Sequence, residues 1–369
     1  MAAPRHWRVF VCLGVLLMVA TLGGCSTDPN DLSSWLEPGP ELAPQKDMRV
    51  WVVGAPDLVL HSPDGGATWQ ESHRSDTDIL TGDLWAIAFG DEAHGWAVRR
   101  GIGSERSTVL ATSEGGLTWS WQYPKPNGKL LAVAASGPRH AWAVGRRPGN
   151  SFEVPGLVIA TTDGGGTWTK QDVEPDLHPF DVVFTDERHG WLLAGDRRDL
   201  NRFAVLATSD GGAHWRESFE TTAVRLTGLA ASGQGNCWVV GYVEHPQSGF
   251  ITATHDGGEH WTEQQAGTDG QLLDADFPDA QHGWAVGAQG VILTTIDGGG
   301  TWTPQRVDER YKLTQVSFID TRRGFALVGH EALLATVDGG STWTVVRPSE
   351  KEELLTGLAC VRSGPAEEQ

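Results

Sequence analysis

The sequence predicts an all-β fold, a seven-bladed β-propeller of four-stranded antiparallel blades. Three observations lead to this prediction. A short motif of the form Thr/Ser-x-Asp/Glu-Gly-Gly-x-Thr/His-Trp occurs seven times, and its closing tryptophans are 41 to 50 residues apart. Four short strands with their turns fill that spacing, as in a propeller blade. A second aromatic position recurs with the motif, and the last strand-like segment supplies an element that the first unit lacks.

The motif has the chemistry of a tight turn between the third and fourth strands of a blade. Its acidic side chain can accept hydrogen bonds from backbone N–H groups two residues on, and the glycine pair supplies positive φ at little cost. The closing tryptophan is expected to open the fourth strand and to pack back across the turn. We assign a structural role to the acidic residues of these seven Asp boxes: Asp64, Glu114, Asp163, Asp210, Asp256, Asp297 and Asp338.

The other strands recur in the same order in each unit. In the sixth unit, residues 272–277 alternate as a first strand, 282–287 form the second, 291–294 form the third, and Trp302 opens the fourth. One aromatic position of the second strand is shared by all units: Trp51, Trp96, Trp142, Trp191, Trp238, Trp284 and Phe325. The two aromatic positions use 13 of the 17 tryptophans, so most tryptophan is predicted to be core and not a ligand cage.

The two ends of the chain predict how the ring closes. The first unit has a second strand over 49–53, a third over 58–61 and a fourth over 68–72, but no first strand. The C-terminal segment 354–361 matches the first strand of the fifth unit, 226–231, almost letter for letter. We therefore expect it to complete the first blade, which removes two sheet edges that would otherwise invite aggregation.

The N-terminus has the features of an export signal. Arg5 and Arg8 precede a mostly apolar run over 9–22, which is shorter than an ordinary membrane span and leads into Leu-Gly-Gly-Cys25. This segment resembles the lipobox of bacterial lipoproteins, which implies cleavage before Cys25 and diacylation of its thiol. An ordinary signal cleaved near Gly24, with an incidental cysteine, is the alternative.

The chain is thus divided into a signal peptide (1–24), a lipidated cysteine with a flexible tether (25–47), the propeller (48–361) and a disordered tail (362–369). Ser26 after the cysteine favours outer-membrane sorting. We expect a lipid-anchored protein of a bacterial envelope that faces the periplasm or the cell exterior. Cys237 and Cys360 fall on blades across the ring from each other, so no disulfide is expected.

One face of the predicted ring carries the longer loops. The Asp-box turns share a face with the turns between first and second strands. The opposite face carries the second-to-third-strand loops and the blade connections, and these second-to-third loops are longest in units two to five. Long loops on a rigid ring are where binding usually resides.

Paired arginines recur in three of those loops, although the formal net charge of the chain is −19. Arginine recognises carboxylates and backbone oxygens through several planar donors, which suits protein docking. The acidic balance argues against a nucleic-acid partner. The structural alternative is that a solvated loop residue was copied by blade duplication. The candidate partner-binding residues are Arg99, Arg100, Arg106, Arg146, Arg147, Arg197, Arg198 and Arg202.

Patterns typical of catalysis or metal binding are missing from the sequence. It contains no phosphate-binding loop that leads into a helix and no nucleophile elbow. Histidines precede the second-strand aromatic residue by two positions in four units, so they are predicted to lie one per blade, far beyond the zinc–ligand distance of about 2 Å. These residues are His94, His140, His189 and His282. We predict no catalytic residue, no metal and no cofactor.

A longer pattern joins the second strand to the Asp box. It reads Asp-x-x-His-Gly-Trp-Ala-Val-Gly, a variable loop and Thr-x-Asp-Gly-Gly-x-Thr-Trp, and versions of it span 91–119, 186–215 and 279–302. Asp-box (BNR) repeats occur in sialidases, some endo-glucanases and sortilin-type receptors, but this fuller pattern most resembles the photosystem II stability/assembly factor family, over about 48–361. The resemblance implies a seven-bladed thylakoid or periplasmic protein that binds assembly intermediates without chemistry. It also implies an arginine patch similar in kind to the arginines above.

Two classes of function follow. The first is a non-catalytic, membrane-tethered monomer that docks an envelope or photosynthetic membrane protein through the loop-rich face. The second is a glycoside hydrolase, sialidase-like or endo-glycanase, or a carbohydrate-binding propeller. A two-carboxylate glycosidase needs acids about 5 to 9.5 Å apart. Asp274 and Asp276 lie two positions apart on a predicted inner strand and are the candidate pair for that alternative.

Overall fold

The computed structural model describes residues 42–73, 83–100, 107–122, 128–147, 156–174, 176–350 and 353–364. Seven antiparallel sheets of four strands each confirm the predicted seven-bladed propeller. The described ranges contain one 3₁₀ turn, Ala288–Gly290, and no helix with the length and apolar character to cross a membrane. The predicted signal peptide, Cys25 and Arg106 lie outside the described residues.

Within each blade, the strands are given in order from the centre of the ring outward. Blade 1 contains β28 (Leu354–Arg362), β1 (Met48–Ala55), β2 (Leu58–Ser62) and β3 (Gln70–His73). Blade 2 contains β4 (Asp83–Phe89), β5 (Gly95–Arg100), β6 (Thr108–Thr112) and β7 (Ser120–Trp121). Blade 3 contains β8 (Lys129–Ser136), β9 (His140–Arg146), β10 (Gly156–Thr161) and β11 (Thr169–Gln171).

The remaining blades keep the same order. Blade 4 contains β12 (Leu177–Phe184), β13 (Gly190–Asp196), β14 (Phe203–Thr208) and β15 (Arg216–Thr221). Blade 5 contains β16 (Arg225–Ser232), β17 (Asn236–Glu244), β18 (Gln247–Thr254) and β19 (Thr262–Gln264). Blade 6 contains β20 (Leu272–Asp276), β21 (Gly283–Gly287), β22 (Val291–Thr295) and β23 (Thr303–Arg306). Blade 7 contains β24 (Leu313–Phe318), β25 (Gly324–Val328), β26 (Ala332–Thr336) and β27 (Thr344–Pro348).

The C-terminal strand closes the ring as predicted. β28 pairs antiparallel with β1, with Trp51 opposite Ala359, and contacts the inner strands of blades 7 and 2. The predicted start of the fourth strand is wrong in every blade, because this strand begins one residue after the Asp-box tryptophan; in blade 1 it begins at Gln70 and not at Thr68. The backbone N–H and the hydroxyl of Thr68 both donate to Asp64, at 2.8 Å, and hold this residue in the turn.

The core lies between adjacent blades. The second-strand aromatic residues are almost fully buried, which confirms that they are core. Each of several tryptophans stacks on a phenylalanine of the next blade, as in Trp142 on Phe184 with ring centroids 3.4 Å apart. The indole of Trp142 also donates to the carbonyl oxygen of Gly211 in the Asp box of that next blade, at 2.9 Å. Stacking and this hydrogen bond therefore join neighbouring blades.

The ring has two distinct faces. On the Asp-box face, the Asp-box turns of blades 2 to 7 are bonded to the first-to-second-strand turns of their own blades, as by Gly115 N–H and Ala93 O at 2.8 Å. The chain reaches β1 from this face, where Gln45 N–H donates to Asp64 O at 2.8 Å. The opposite face, called the loop-rich face below, contains the ends of the second strands and the starts of the first and third strands.

Every inner strand contains a β-bulge close to the loop-rich face. Pairing with the second strand skips one residue in each blade. A bulge re-aims the side chain of the unpaired residue and bends the strand locally. The bulge residues, in order from blade 2 to blade 1, are Trp85, Leu131, Phe180, Thr227, Leu273, Thr314 and Thr356.

Candidate functional site

The Asp boxes are turns held by their acidic side chains. In blade 3, one oxygen of Asp163 accepts the Thr167 backbone N–H at 2.9 Å, and the other accepts the Thr167 hydroxyl at 2.8 Å. These bonds reach four residues on, and a weaker one from the Gly165 N–H comes from two residues on, as predicted. These bonds lower the pKa of Asp163 to about 2. In blade 2, the longer Glu114 reaches the Thr118 hydroxyl at 2.6 Å.

Histidine–carboxylate pairs recur around the ring without converging. The imidazole Nδ1 atoms of His94, His189 and His282 lie 2.9 to 3.1 Å from the Asp91, Asp186 and Asp279 carboxylates of their own turns. Among the described residues, no three His, Cys, Asp or Glu side chains are grouped closely enough to hold a metal ion. Cys237 and Cys360 are both unbridged.

Four of the eight candidate arginines are paired with carboxylates of the protein. Arg99 Nε donates to both oxygens of the buried Asp57, at 2.7 and 2.9 Å. Arg197 and Arg198 share Asp176, which lies 2.9 Å from Arg198 Nη1. The fourth residue, Arg202, contacts three carboxylates, those of Asp196, Glu217 and Glu220, at 3.1, 2.5 and 2.9 Å. These neighbours neutralise much of the charge that a partner would meet.

A second group is not neutralised in this way. Lys129 and Arg146 are directly opposite each other in the β8–β9 register. Burial, and then the charges of Arg146 and Arg100, lower the pKa of Lys129. Asp83 is opposite Arg100 in the β4–β5 register, but neither Arg100, Lys129 nor Arg146 forms an ion pair with any described residue. We call these three residues the cationic seam, since they lie where blades 2 and 3 meet.

The cationic seam combines predicted and unpredicted residues. Arg100 and Arg146 were predicted from the repeated arginine pairs, and Arg147 follows Arg146 without an ion pair to the described residues. Lys129 is a residue that the sequence did not single out. Its only sequence signal is a basic residue at the start of an inner strand, and its proximity to Arg146 depends on strand register.

The aspartates of the hydrolase hypothesis have structural partners. Asp274 and Asp276 accept the backbone N–H groups of Val316 and Phe318, in the inner strand of blade 7, at 2.9 and 2.6 Å. Asp181 accepts the Leu229 N–H of blade 5 in the same way, at 3.0 Å. Burial raises the pKa of Asp274 well above its usual range and that of Asp181 and Asp276 to about 6. These carboxyl groups link adjacent inner strands.

The fold and this surface define an Asp-box β-propeller with a cationic seam on its loop-rich face, and the seam forms no ion pair with the described part of the chain. The sequence profile of the photosynthesis system II assembly factor YCF48 family matches residues 166–268 and 258–357, together more than half of the chain. The chain therefore belongs to this family, as the sequence resemblance implied. A comparison with curated proteins gave no match.

Solved structures share the fold at low sequence identity. YCF48 from Cyanidioschyzon merolae is 22% identical, with a TM-score of 0.56 over 75% of this chain and 90% of that one. A YCF48 bound to D1 peptide is 19% identical, with a TM-score of 0.54 over 79% and 97% of the two chains. Streptogramin B lyase is 11% identical, with a TM-score of 0.56 over 74% and 86%. Because the fold also occurs in a lyase, the fold alone does not decide whether the chain is an enzyme.

Proposed function

We propose that this chain is a non-catalytic docking protein that binds a polypeptide segment of a membrane protein through its loop-rich face. Its partner is an envelope or photosynthetic membrane protein, and the protein acts as a monomer anchored by lipid at Cys25. The proposal is supported by membership of the YCF48 family and by the peptide bound to one YCF48 structure. The proposed bacterial envelope location rests on the Leu-Gly-Gly-Cys25 segment, and the preference for the outer membrane rests on Ser26.

The cationic seam is the observation that carries this proposal. These three cations form no ion pair with the described residues, although Asp83 lies near Arg100, and Lys129 is partly desolvated and repelled by Arg146 and Arg100. An acidic partner segment supplies the missing countercharge, and arginine can hold a carboxylate through two parallel N–H bonds. Arg147 extends the seam. The ion-paired Arg99, Arg197, Arg198 and Arg202, with Arg106, complete the proposed binding set around it.

The position of the N-terminal segment agrees with docking through the loop-rich face. Asp47 pairs with Arg323 at 2.7 Å on the Asp-box face, where the chain reaches β1. A tether that leaves from this face would leave the loop-rich face directed away from the anchoring membrane, accessible to a partner segment.

Capture from native membranes tests the proposal. The full-length protein with Arg100, Lys129 and Arg146 changed to Gln should retain less than about a tenth of the partner that the natural protein retains, because electrostatic attraction and charge-assisted bonds are lost. Capture by the natural protein should also fall as salt is raised. Quantitative mass spectrometry of the retained proteins measures both effects.

The matched control removes three cations from the other face. Arg139, Arg188 and Arg322 are exposed on first-to-second-strand turns, and their change to Gln alters net charge equally. Equal loss of the partner in both triple variants would contradict docking by the seam. Hydrolysis of a glycan panel that disappears in an Asp274→Asn, Asp276→Asn variant would instead favour the glycosidase alternative.

A further inference from the structure

The bulge residues fall into two chemical groups. In blades 5, 7 and 1 the bulge residue is threonine, and its hydroxyl donates to a backbone carbonyl group. Thr227 lies 2.9 Å from Leu272 O of the next blade, Thr314 lies 3.2 Å from Gly329 O, and Thr356 lies 3.2 Å from Val53 O. In blades 2, 3, 4 and 6 the bulge residue is apolar and partly exposed: Trp85, Leu131, Phe180 and Leu273. A hydroxyl group therefore suffices for this position in three of the seven blades.

Two of the apolar bulge residues adjoin the cationic seam. Trp85 packs against the hydrophobic cluster between blades 2 and 3, and Arg100 Cζ lies 4.9 Å from the centroid of its ring. Leu131 is two positions after Lys129 on β8, and both side chains are partly exposed. Trp85 is also one of the four tryptophans outside the two repeated aromatic positions, so the blade consensus does not account for it.

The stacked arginine remains able to bind an anion. A guanidinium over an aromatic face keeps its in-plane N–H donors free, so cation–π stacking and carboxylate recognition can occur together. The indole ring of Trp85 also limits the orientations of the Arg100 side chain, which reduces the entropy that this side chain loses when it binds a ligand. An apolar surface beside an oriented cation matches a ligand in which an apolar side chain lies close to an anionic group.

We propose that Trp85 and Leu131 form an apolar subsite beside the cationic seam, which recognises a partner segment with an aromatic or branched aliphatic residue next to a carboxylate. This inference rests on the proposed docking function and specifies the chemistry of its ligand. The apolar residue contacts Trp85 and Leu131, and the carboxylate is held by Arg100, Lys129 and Arg146. Charge complementarity selects an acidic segment, and the bulge side chains select among acidic segments.

Binding of short labelled peptides to the full-length protein tests the subsite. The probes are fluorescein-labelled Gly-Ser peptides with a central Glu-Phe-Glu, Glu-Ala-Glu or Gln-Phe-Gln, and fluorescence anisotropy gives their dissociation constants. We expect Glu-Phe-Glu to bind about tenfold more tightly than Glu-Ala-Glu, because an aromatic anchor in a pocket contributes strongly to affinity. This preference should disappear in Trp85→Thr, which installs the residue found in blades 5, 7 and 1.

Two further variants keep the test decisive. Leu273→Thr makes the equivalent change in blade 6, outside the seam, and should leave the preference unchanged. Trp85→Phe retains a ring and should keep most of the preference. If thermal unfolding shows Trp85→Thr to be damaged, Leu131→Thr replaces it and should likewise reduce the preference, because Leu131 is the other residue of the subsite.

The outcomes separate the inference from the proposed function. Equal binding of Glu-Phe-Glu and Glu-Ala-Glu, with loss of binding for Gln-Phe-Gln, would overturn the apolar subsite and leave ionic docking intact. A preference for Phe that survives Trp85→Thr would also overturn it. If none of the three peptides binds at millimolar concentration, and the seam variant captures as much partner as the natural protein, both proposals are wrong.

Discussion

Aspartates occupy two opposite electrostatic environments in this ring. In the Asp boxes, hydrogen bonds to the ionised carboxylate lower the pKa, as for Asp163 and Asp210, both to about 2. On the inner strands, burial outweighs the backbone bonds and raises the pKa of Asp181 and Asp276 to about 6. The same side chain therefore favours the folded state in opposite pH ranges, depending on whether solvent or the neighbouring blade surrounds it.

Asp181→Asn should change how stability depends on pH. Folded Asp181 binds its proton more tightly than the unfolded chain, so its contribution to stability is greatest below pH 4 and is lost as the pH rises from about 4 to 6. Asparagine stays neutral. Raising the pH from 4 to 6 should therefore lower the free energy of unfolding of the variant by about 1–3 kcal/mol less than it lowers that of the natural protein. The lost acceptor oxygen lowers its stability equally at every pH. Urea unfolding at pH 4, 5, 6 and 7 measures the difference in slope.

Asp163→Asn is the matched control on the surface. The pKa of Asp163 is lowered, so its contribution is present above pH 4 and is lost as the pH falls towards 2. Between pH 4 and 6 the stability of the control should therefore run parallel to that of the natural protein, and the two pH slopes should differ only below pH 4. If both variants change the slope between pH 4 and 6, the assignment to Asp181 is wrong.

At the scale of one element, β28 holds the two ends of the propeller together. Leu355 is fully buried in the cluster between blades 7 and 1. Just before the strand, the buried Glu353 accepts Arg347 Nη2 at 2.9 Å and Glu350 N–H at 3.0 Å, which sets the path from blade 7 back into blade 1. The strand is thus attached by backbone pairing, apolar packing and a buried ion pair.

Ending the chain before Leu354 should therefore open the ring. The loss exposes the inner edge of β1 and the apolar side chains that Leu355 covers, so the melting temperature should fall by more than about 10 °C or the protein should aggregate. Differential scanning calorimetry measures this. Leu355→Ala provides a milder test, with an expected loss of about 2–5 kcal/mol.

Ending the chain after Gly364 is the control for that truncation. It keeps β28 and the bond from Ser363 N–H to Asp47 O, at 2.7 Å, so stability should match that of the full chain. A truncation before Leu354 that melts within a few degrees of this control would contradict closure by β28.

At the scale of the whole molecule, the charge of the propeller bears on the proposed anchoring to a membrane. The net charge of −19 keeps the ring soluble and disfavours nucleic acid, while the cationic seam is a local exception on the loop-rich face. An anionic membrane surface would repel most of such a protein, so we propose that its attachment depends on a covalent anchor. Cys25 is the residue proposed to carry it.

Cys25→Ser should abolish lipidation. The variant should leave the membrane fraction or accumulate as unprocessed precursor, because the acylated thiol is missing. Membrane fractionation and intact-mass measurement detect both outcomes. Cys12→Ser changes a cysteine within the predicted signal and should fractionate like the natural protein. Unchanged membrane association of the Cys25 variant, with no mass difference from lipid, would show that the anchor assignment is wrong.

Most of the fold could be predicted because its information is local and repeated. Each Asp box encodes one turn through an acidic residue, a glycine pair and a tryptophan, and seven copies set the number of blades. The match between 354–361 and 226–231 was enough to predict β28. The candidate site could be predicted only in part, because Arg100 and Arg146 follow from the repeat but their charge state depends on distant neighbours.

The sequence by itself determined the blade count, the strand order, the closing strand and the face with long loops, since each follows from short-range turn chemistry and periodicity. Only the tertiary structure decided which basic residues keep their charge available. Asp176 neutralises Arg197 across 21 positions, whereas register places Lys129 beside Arg146, and neither forms an ion pair with a residue that the structure describes. The tertiary structure also decided that Trp85 lies on a bulge, with Arg100 stacked on its ring. These relations depend on strand register and on contacts between strands and blades, which no local pattern encodes.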